Sequence, residues 1–239
     1  MSASDTGFRH FHEQLAVVKD RLLAMAGRAE DLVELSVDAL LTRDKDKADA
    51  VIRSDREVDV LEVEVETLAI ELLALQQPMG RDLRFLVGAI KVSSDVERVG
   101  DHAVNIAQCA LRMIAVGSAV IPDPEIAEMA RRARRMLSDA LDAFIRADGQ
   151  LGREVCRADD QVDALHDSLF RILLTHMMAD PRTITPSLEL LLVSRNLERV
   201  ADLATNIGED AVFLAEGKSI KHRFELEARG RHPEGSSAS

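Results

Sequence analysis

A pattern that occurs twice constrains this chain more than any other feature. Glu97, Arg98, Val99, Gly100 and Asp101, followed by Asn105 and Ile106, return 101 residues later as Glu198, Arg199, Val200, Ala201 and Asp202, followed by Asn206 and Ile207. Each copy has a companion upstream, because Asp55, Val58, Asp59 and Leu61 reappear as Asp159, Val162, Asp163 and Leu165. Self-similarity at a fixed period marks a duplicated supersecondary unit, so both halves must fold into the same thing.

The spacing of apolar residues says that the unit is helical. Phe8, Phe11, Leu15, Val18, Leu22, Met25, Ala29, Leu32, Ser36 and Ala39 are separated by alternating steps of three and four, the seam of a long bundle helix. The charged cluster Arg43–Asp46 breaks it. A second run from about Ala48 to Gln76 carries Val51, Val58, Val65 and Leu72, and ends at Gln77, Pro78, Met79 and Gly80. A third helix is expected from Asp82, as its N-cap, to Gly117. Pro122, Asp123 and Pro124 form the internal break, with Asp123 as N-cap and Pro124 in the first turn of a fourth helix that runs to about Asp148. Residues 149–152 read as a turn, a fifth helix ends at Asp180 and Pro181, and Thr185 and Pro186 open a sixth.

The expected fold is therefore all-α: two tandem three-helix bundles, residues 8–120 and 123–217, then a mobile tail over 218–239. Composition agrees, with 46% hydrophobic and 30% charged residues, 3% aromatic, and no Trp or Tyr. The formal net charge of −12 argues against a nucleic-acid surface, which needs clustered Lys and Arg. Cys109 and Cys156 fit neither a disulfide framework nor a CxxC motif and read as reduced core residues. The N-terminus is polar, and no stretch has the length and apolarity of a membrane span, so a cytoplasmic protein without membrane insertion is expected.

The chemistry of the repeat lies in its acids. Carboxylates four residues apart share a helix face, so Asp55 with Asp59, Glu97 with Asp101, Asp159 with Asp163 and Glu198 with Asp202 can each present two oxygen ligands in one direction. Spacing alone is weak, since 42 acids in 239 residues give about seven such pairs by chance. Placement is what singles these out. In each half one pair precedes a turn and the other follows it by about 20 residues, so an antiparallel hairpin brings four carboxylates level. They run beside the apolar stripe Val92, Val96, Val99, Ala103 and Ile106, at the margin of the core. Like charges there must take up protons, recruit Arg or Lys, or bind a cation, and Arg98 and Arg199 are expected about 100° from their neighbouring Glu. A cation is the simplest answer, and oxygen-only donors favour Mg, Mn or Fe over a Cys-rich zinc site. A hydrated acidic stripe with salt bridges is the competing interpretation.

The segments Leu73–Leu83 (LALQQPMGRDL), Asp95–Ala107 (DVERVGDHAVNIA) and Asn196–Ile207 (NLERVADLATNI) resemble the signatures of the PhoU family, over about Phe8 to Gly217. The resemblance implies tandem three-helix bundles, usually cytoplasmic and often homodimeric. It also implies metal ions (Fe, Mn, Mg or Zn) at two acidic sites, Asp55, Asp59, Glu97 and Asp101 in one bundle and Asp159, Asp163, Glu198 and Asp202 in the other. It implies a negative regulator of phosphate uptake and the phosphate-starvation response. Such a protein is not an enzyme but an adaptor between the ATPase subunit of the phosphate ABC transporter and the phosphate-sensing histidine kinase. One departure is His102 after Asp101, where the second copy has Leu203 after Asp202.

Two rivals remain. A ferritin-like di-metal carboxylate enzyme needs Glu-x-x-His on two helices, and only Asp163 to His166 has a comparable spacing. A metal-free helical scaffold needs no more than the seams. His10 and His12 read as solvated, and Arg81 and Arg84 as surface charges or partner contacts at a helix start. P-loop, GxGxxG and HExxH motifs are absent from the sequence.

Overall fold

Helix α1 (Ala3–Thr42) buries the seam read from its sequence, from Phe11 through Val18, Leu22, Met25 and Ala29 to Ala39. The computed structural model describes residues 3–117 and 124–221, with side chains from His10 onward. The side chain of Phe8, the break residues Pro122 and Asp123, and residues 222–239 of the tail lie outside the described residues. After α1 come α2 (Lys45–Ser54), α3 (Arg56–Gln76), α4 (Gly80–Val116), α5 (Pro124–Arg146), α6 (Gly149–Ala179), a 3₁₀ turn (Pro181–Thr183) and α7 (Ile184–Glu216). No strand occurs among the described residues, and none of their helices is long and apolar enough to cross a membrane.

The same device starts the second helix of each half. Arg43 turns left-handed (φ 55°), and the Asp44 carboxylate accepts from the N–H groups of Asp46 and Lys47 at 2.9 and 3.1 Å. Ala147 (φ 51°) and Asp148 repeat it, with Asp148 accepting from Gln150 and Leu151 at 3.0 Å each. Residues 149–152 are consequently the first turn of α6 and not a connecting turn, because the cap supplies the acceptors that free N–H groups need. Six long helices persist, with α2 and α3 forming one helix that tightens at Asp55. There the Asp55 carbonyl accepts from Val58 at 2.8 Å and from Asp59 at 3.4 Å.

Two other boundaries differ from expectation. Met79, extended at φ −125°, precedes α4, and Asp82 sits inside its first turn, where a carboxylate favours the positive end of the helix dipole without capping it. Helix α7 starts at Ile184 because the preceding 3₁₀ turn is stabilised by Asp180, which accepts from the Arg182 N–H at 3.0 Å. Gly117 and Gly217 close α4 and α7 in left-handed geometry (φ 63° and 70°).

Helices α1, α2–α3 and α4 pack as one set of three, and α5, α6 and α7 as another. Across the junction α4 lies antiparallel on α7. His102 on α4 meets Asn196 at 2.9 Å and Arg112 meets Glu189 at 2.9 Å, so advancing along α4 means retreating along α7. Helix α1 meets α5 through Arg134 and Glu34 at 2.7 Å. One buried apolar core runs through both sets, from Val18 and Leu22 to Val200 and Ile207. Past Gly217 the chain does not leave the body at once, since Ile220 is buried against Cys156 and Val212. An apolar side chain at the end of a basic segment gains by that contact.

Candidate functional site

The two hairpins share one register. In the first, the Asp55 carboxylate lies against the backbone of Gly100, where an added Cβ would stand 2.8 Å from Oδ1. Glu62 reaches Ser94 about two turns nearer the hairpin tip. In the second, Gly152 lies against Gly208, the Cys156 thiol faces the Thr205 carbonyl at 3.8 Å, and His166 Nδ1 meets Ser194 Oγ at 3.0 Å. Asp55 is thus level with the turn between Glu97 and Asp101, and the same register sets Asp159 level with the turn between Glu198 and Asp202. Asp55, Glu97, Asp159, Glu198 and Asp202 are half-buried, whereas Asp59, Asp101 and Asp163 are exposed.

Burial and mutual repulsion show in the acidities. Asp55 is pushed up to about 6, first by burial and then by the charges of Asp59 and Asp101. Glu97 rises to about 7, through burial and then Asp101, Glu62, Asp59 and Asp55. In the second hairpin Asp159 rises to about 7 through burial, then Asp163, Asp202, Asp160 and Glu198. Asp163, although its side chain is exposed, is raised as well, by partial desolvation and then by the charges of Glu198 and Asp202. Each set of four acids therefore behaves as one interacting group.

Glu62 belongs to the first group and was missed from sequence. Burial raises its carboxyl, with Glu66, Asp59 and Asp101 adding to the effect and Ser94 opposing it. The signal was the spacing Asp55, Asp59, Glu62, successive positions on one helix face. Repeat matching hid it because the equivalent position is His166. Ser194 donates its hydroxyl to the Leu191 carbonyl at 3.0 Å, and its oxygen stands 3.0 Å from His166 Nδ1.

The second group opens into a cavity of about 610 Å³ lined by Asp159, Asp163, Asp202, Cys156, Thr205, Asn206 and Glu209. Arg98 and His102 enter its wall from α4, together with Arg199 and Lys221. His102 is thus turned from its own hairpin toward the other one. The arginines turn to acids other than the neighbouring Glu. Arg199 pairs with Asp202 at 2.9 Å and Arg98 with Asp95 at 3.4 Å, since three residues along a helix bring the two side chains onto one face. His12 packs on the Phe11 ring, and Arg84 lies near the Gly217 cap.

Among the described residues no three Asp, Glu, His or Cys side chains are drawn together closely enough to hold a metal ion. The donors fit a hard cation on other grounds. The sets are oxygen-rich, and in the second cavity Asp159 Oδ1 and Thr205 Oγ1 are buried without a hydrogen-bond partner.

A duplicated three-helix bundle that sets two groups of acids level across its hairpins defines a recognisable class. The PhoU domain model matches residues 22–110 and again 126–211. The phosphate-specific transport system accessory protein PhoU homolog of Caulobacter vibrioides is 39% identical over 212 residues, 89% of this chain and 92% of that protein. The crystal structure of PhoU from Pseudomonas aeruginosa superposes with a TM-score of 0.83 at 34% identity, covering 87% of this chain and 100% of that one. The phosphate transport system regulatory protein PhoU from Streptococcus pneumoniae gives 0.81 at 26% identity, over 88% and 99%. The chain belongs to the PhoU family.

Proposed function

We propose that this chain is an accessory protein of phosphate transport that represses phosphate uptake and the phosphate-starvation response when phosphate is plentiful. It acts on the cytoplasmic side as a homodimeric adaptor, contacting the transporter ATPase subunit and the sensor histidine kinase, and not as an enzyme. Asp55, Asp59, Glu97 and Asp101 hold metal in one bundle, with Glu62 beside them. Asp159, Asp163, Glu198 and Asp202 hold it in the other. Bound metal neutralises like charges and ties the two helices of each hairpin together.

The observation that carries this reading is the pair of interacting acid groups held in one register by both halves of a PhoU-family chain. Relatives named for phosphate-specific transport support its physiological side. Deleting the gene is expected to derepress phosphate-starvation genes in phosphate-rich medium, with rescue by the wild-type chain and not by the variant lacking all eight acids. Unchanged expression on deletion, in a strain without a paralogue, sinks the regulatory role. Rescue by the variant removes only the claim that the acids carry it. Elemental analysis of wild type against the variant with Asp55, Asp59, Glu97 and Asp101 changed to Ala tests the first site directly, because equal metal contents contradict the assignment.

A further inference from the structure

The two acid groups share a register but differ in what lies over them. Above the second, the segment that follows α7 folds back. Gly217 reverses the chain, Ile220 is 7% exposed and packs on Cys156 and Val212, and Lys221 Nζ stands 3.6 Å from Asp210 Oδ1. Asp210 is itself nearly buried, its side chain 5% exposed, so a cation is needed beside it. Lys221 and Cys156 both line the cavity that holds Asp159, Asp163 and Asp202. The segment thus has an apolar anchor, an electrostatic anchor and a positive charge in the cavity wall.

We propose that residues 218–221 are a strap that controls access to the second acidic cavity, with Ile220 as its latch and Lys221 as a tethered cation that an incoming divalent metal must compete with. The inference rests on the metal-binding reading of that cavity. The second site then fills only when the latch lifts. A single isoleucine is a shallow anchor, so the strap opens without unfolding α7.

Cys156 offers a readout independent of metal, since Ile220 covers it and burial pushes its thiol up to about 12. In the full-length chain, Ile220→Asp is expected to speed alkylation of Cys156 by iodoacetamide about tenfold or more, with Cys109 unchanged as internal control in peptide mapping. Ile220→Val retains the latch and should stay near the wild-type rate, with circular dichroism confirming that both variants are folded. A second arm uses Mn²⁺ alone, in a background where Asp55, Asp59, Glu97 and Asp101 are Ala. There Ile220→Asp and Lys221→Ala are expected to raise the rate of Mn²⁺ uptake several-fold. Unchanged Cys156 alkylation in Ile220→Asp overturns the strap. Faster alkylation with no Mn²⁺ uptake by any of these proteins supports the strap and defeats the metal assignment beneath it. Faster alkylation with unaltered uptake overturns its role in controlling metal access.

Discussion

The first and second acid groups come from one duplicated unit, yet their surroundings diverge. Gly100 allows the Asp55 carboxylate to rest on the α4 backbone, and Glu62 adds a fifth acid nearby. At the equivalent places the second hairpin has Ala201 and His166, while Arg98, His102, Arg199 and Lys221 enter the cavity wall. Close packing is traded in the opposite sense. The second hairpin crosses tightly through Gly152 and Gly208, where the first has Ala48 and Ala107. Duplication therefore sets where the helices level their carboxylates. Contacts at the α4–α7 crossing and from the segment after α7 set what surrounds the second group.

Substituting one glycine in each hairpin tests this divergence most severely. A Cβ at Gly152 would meet the Gly208 carbonyl oxygen at 2.6 Å and Val212 Cγ2 at 3.1 Å, and the nearer obstacle is backbone, which cannot swing aside. Gly152→Ala is expected to cost about 2–3 kcal/mol, the overpacking penalty less a small gain in helix propensity. At Gly100 the obstacle is only the end of the Asp55 side chain, which can swing aside. Gly100→Ala should thus fall within about 1 kcal/mol of wild type, because the propensity gain offsets most of the crowding. Denaturant midpoints of the two variants measure the difference, and equal losses would break the comparison.

That contrast also marks what was legible in the sequence. The α1 seam was readable because burial on a helix follows 3.6-residue periodicity, and its described members are buried as spaced. The acid pairs were readable because they recur. Glu62 was not, since the second copy replaced it with His166, and matching copies filters out whatever only one of them has. Arg98 and His102 were assigned to the first half because sequence distance says nothing of the antiparallel crossing that carries them to the second cavity. Ile220 reads as part of a tail in the sequence, because one apolar residue among polar ones has no period to reveal it.

The acidities sharpen the comparison by about 1–2 kcal/mol after allowance for solvent screening. Asp55 at about 6, Glu97 and Asp159 at about 7 all lie above the ordinary carboxylate range near 4, so the folded chain binds more protons than the unfolded chain between those limits. Stability from these groups is fully present below about pH 4 and is lost as pH rises toward 7. Metal-free protein is therefore expected to melt several degrees lower at pH 8 than at pH 5. Asparagine mimics the protonated acid. Asp159→Asn should flatten the curve from about pH 4 to 7, and Asp55→Asn only from about pH 4 to 6. Calorimetric scans that show stability rising over this window, or both variants acting in the same interval, contradict the assigned environments.

The helix caps supply the smallest effect and the one place where the halves should agree. Asp44 and Asp148 occupy equivalent positions, each follows a left-handed residue, and each accepts two backbone N–H groups at about 3 Å. Removing either leaves the first turn of α2 or α6 without acceptors, so Asp44→Ala and Asp148→Ala should each cost about 1 kcal/mol. Asp44 also stands 3.8 Å from Lys47, but Lys47 is already held by Asp38 at 2.7 Å, and an exposed pair of this kind adds little. Urea unfolding of the two single variants and the double variant is the measurement, with the double loss equal to the sum because the caps share no partner. A loss at Asp148 that exceeds the loss at Asp44 by more than about 1 kcal/mol would mean that the cap is coupled to the tight Gly152–Gly208 crossing one turn away. The divergence between the halves would then reach into the duplicated frame itself, and not only the contacts laid over it.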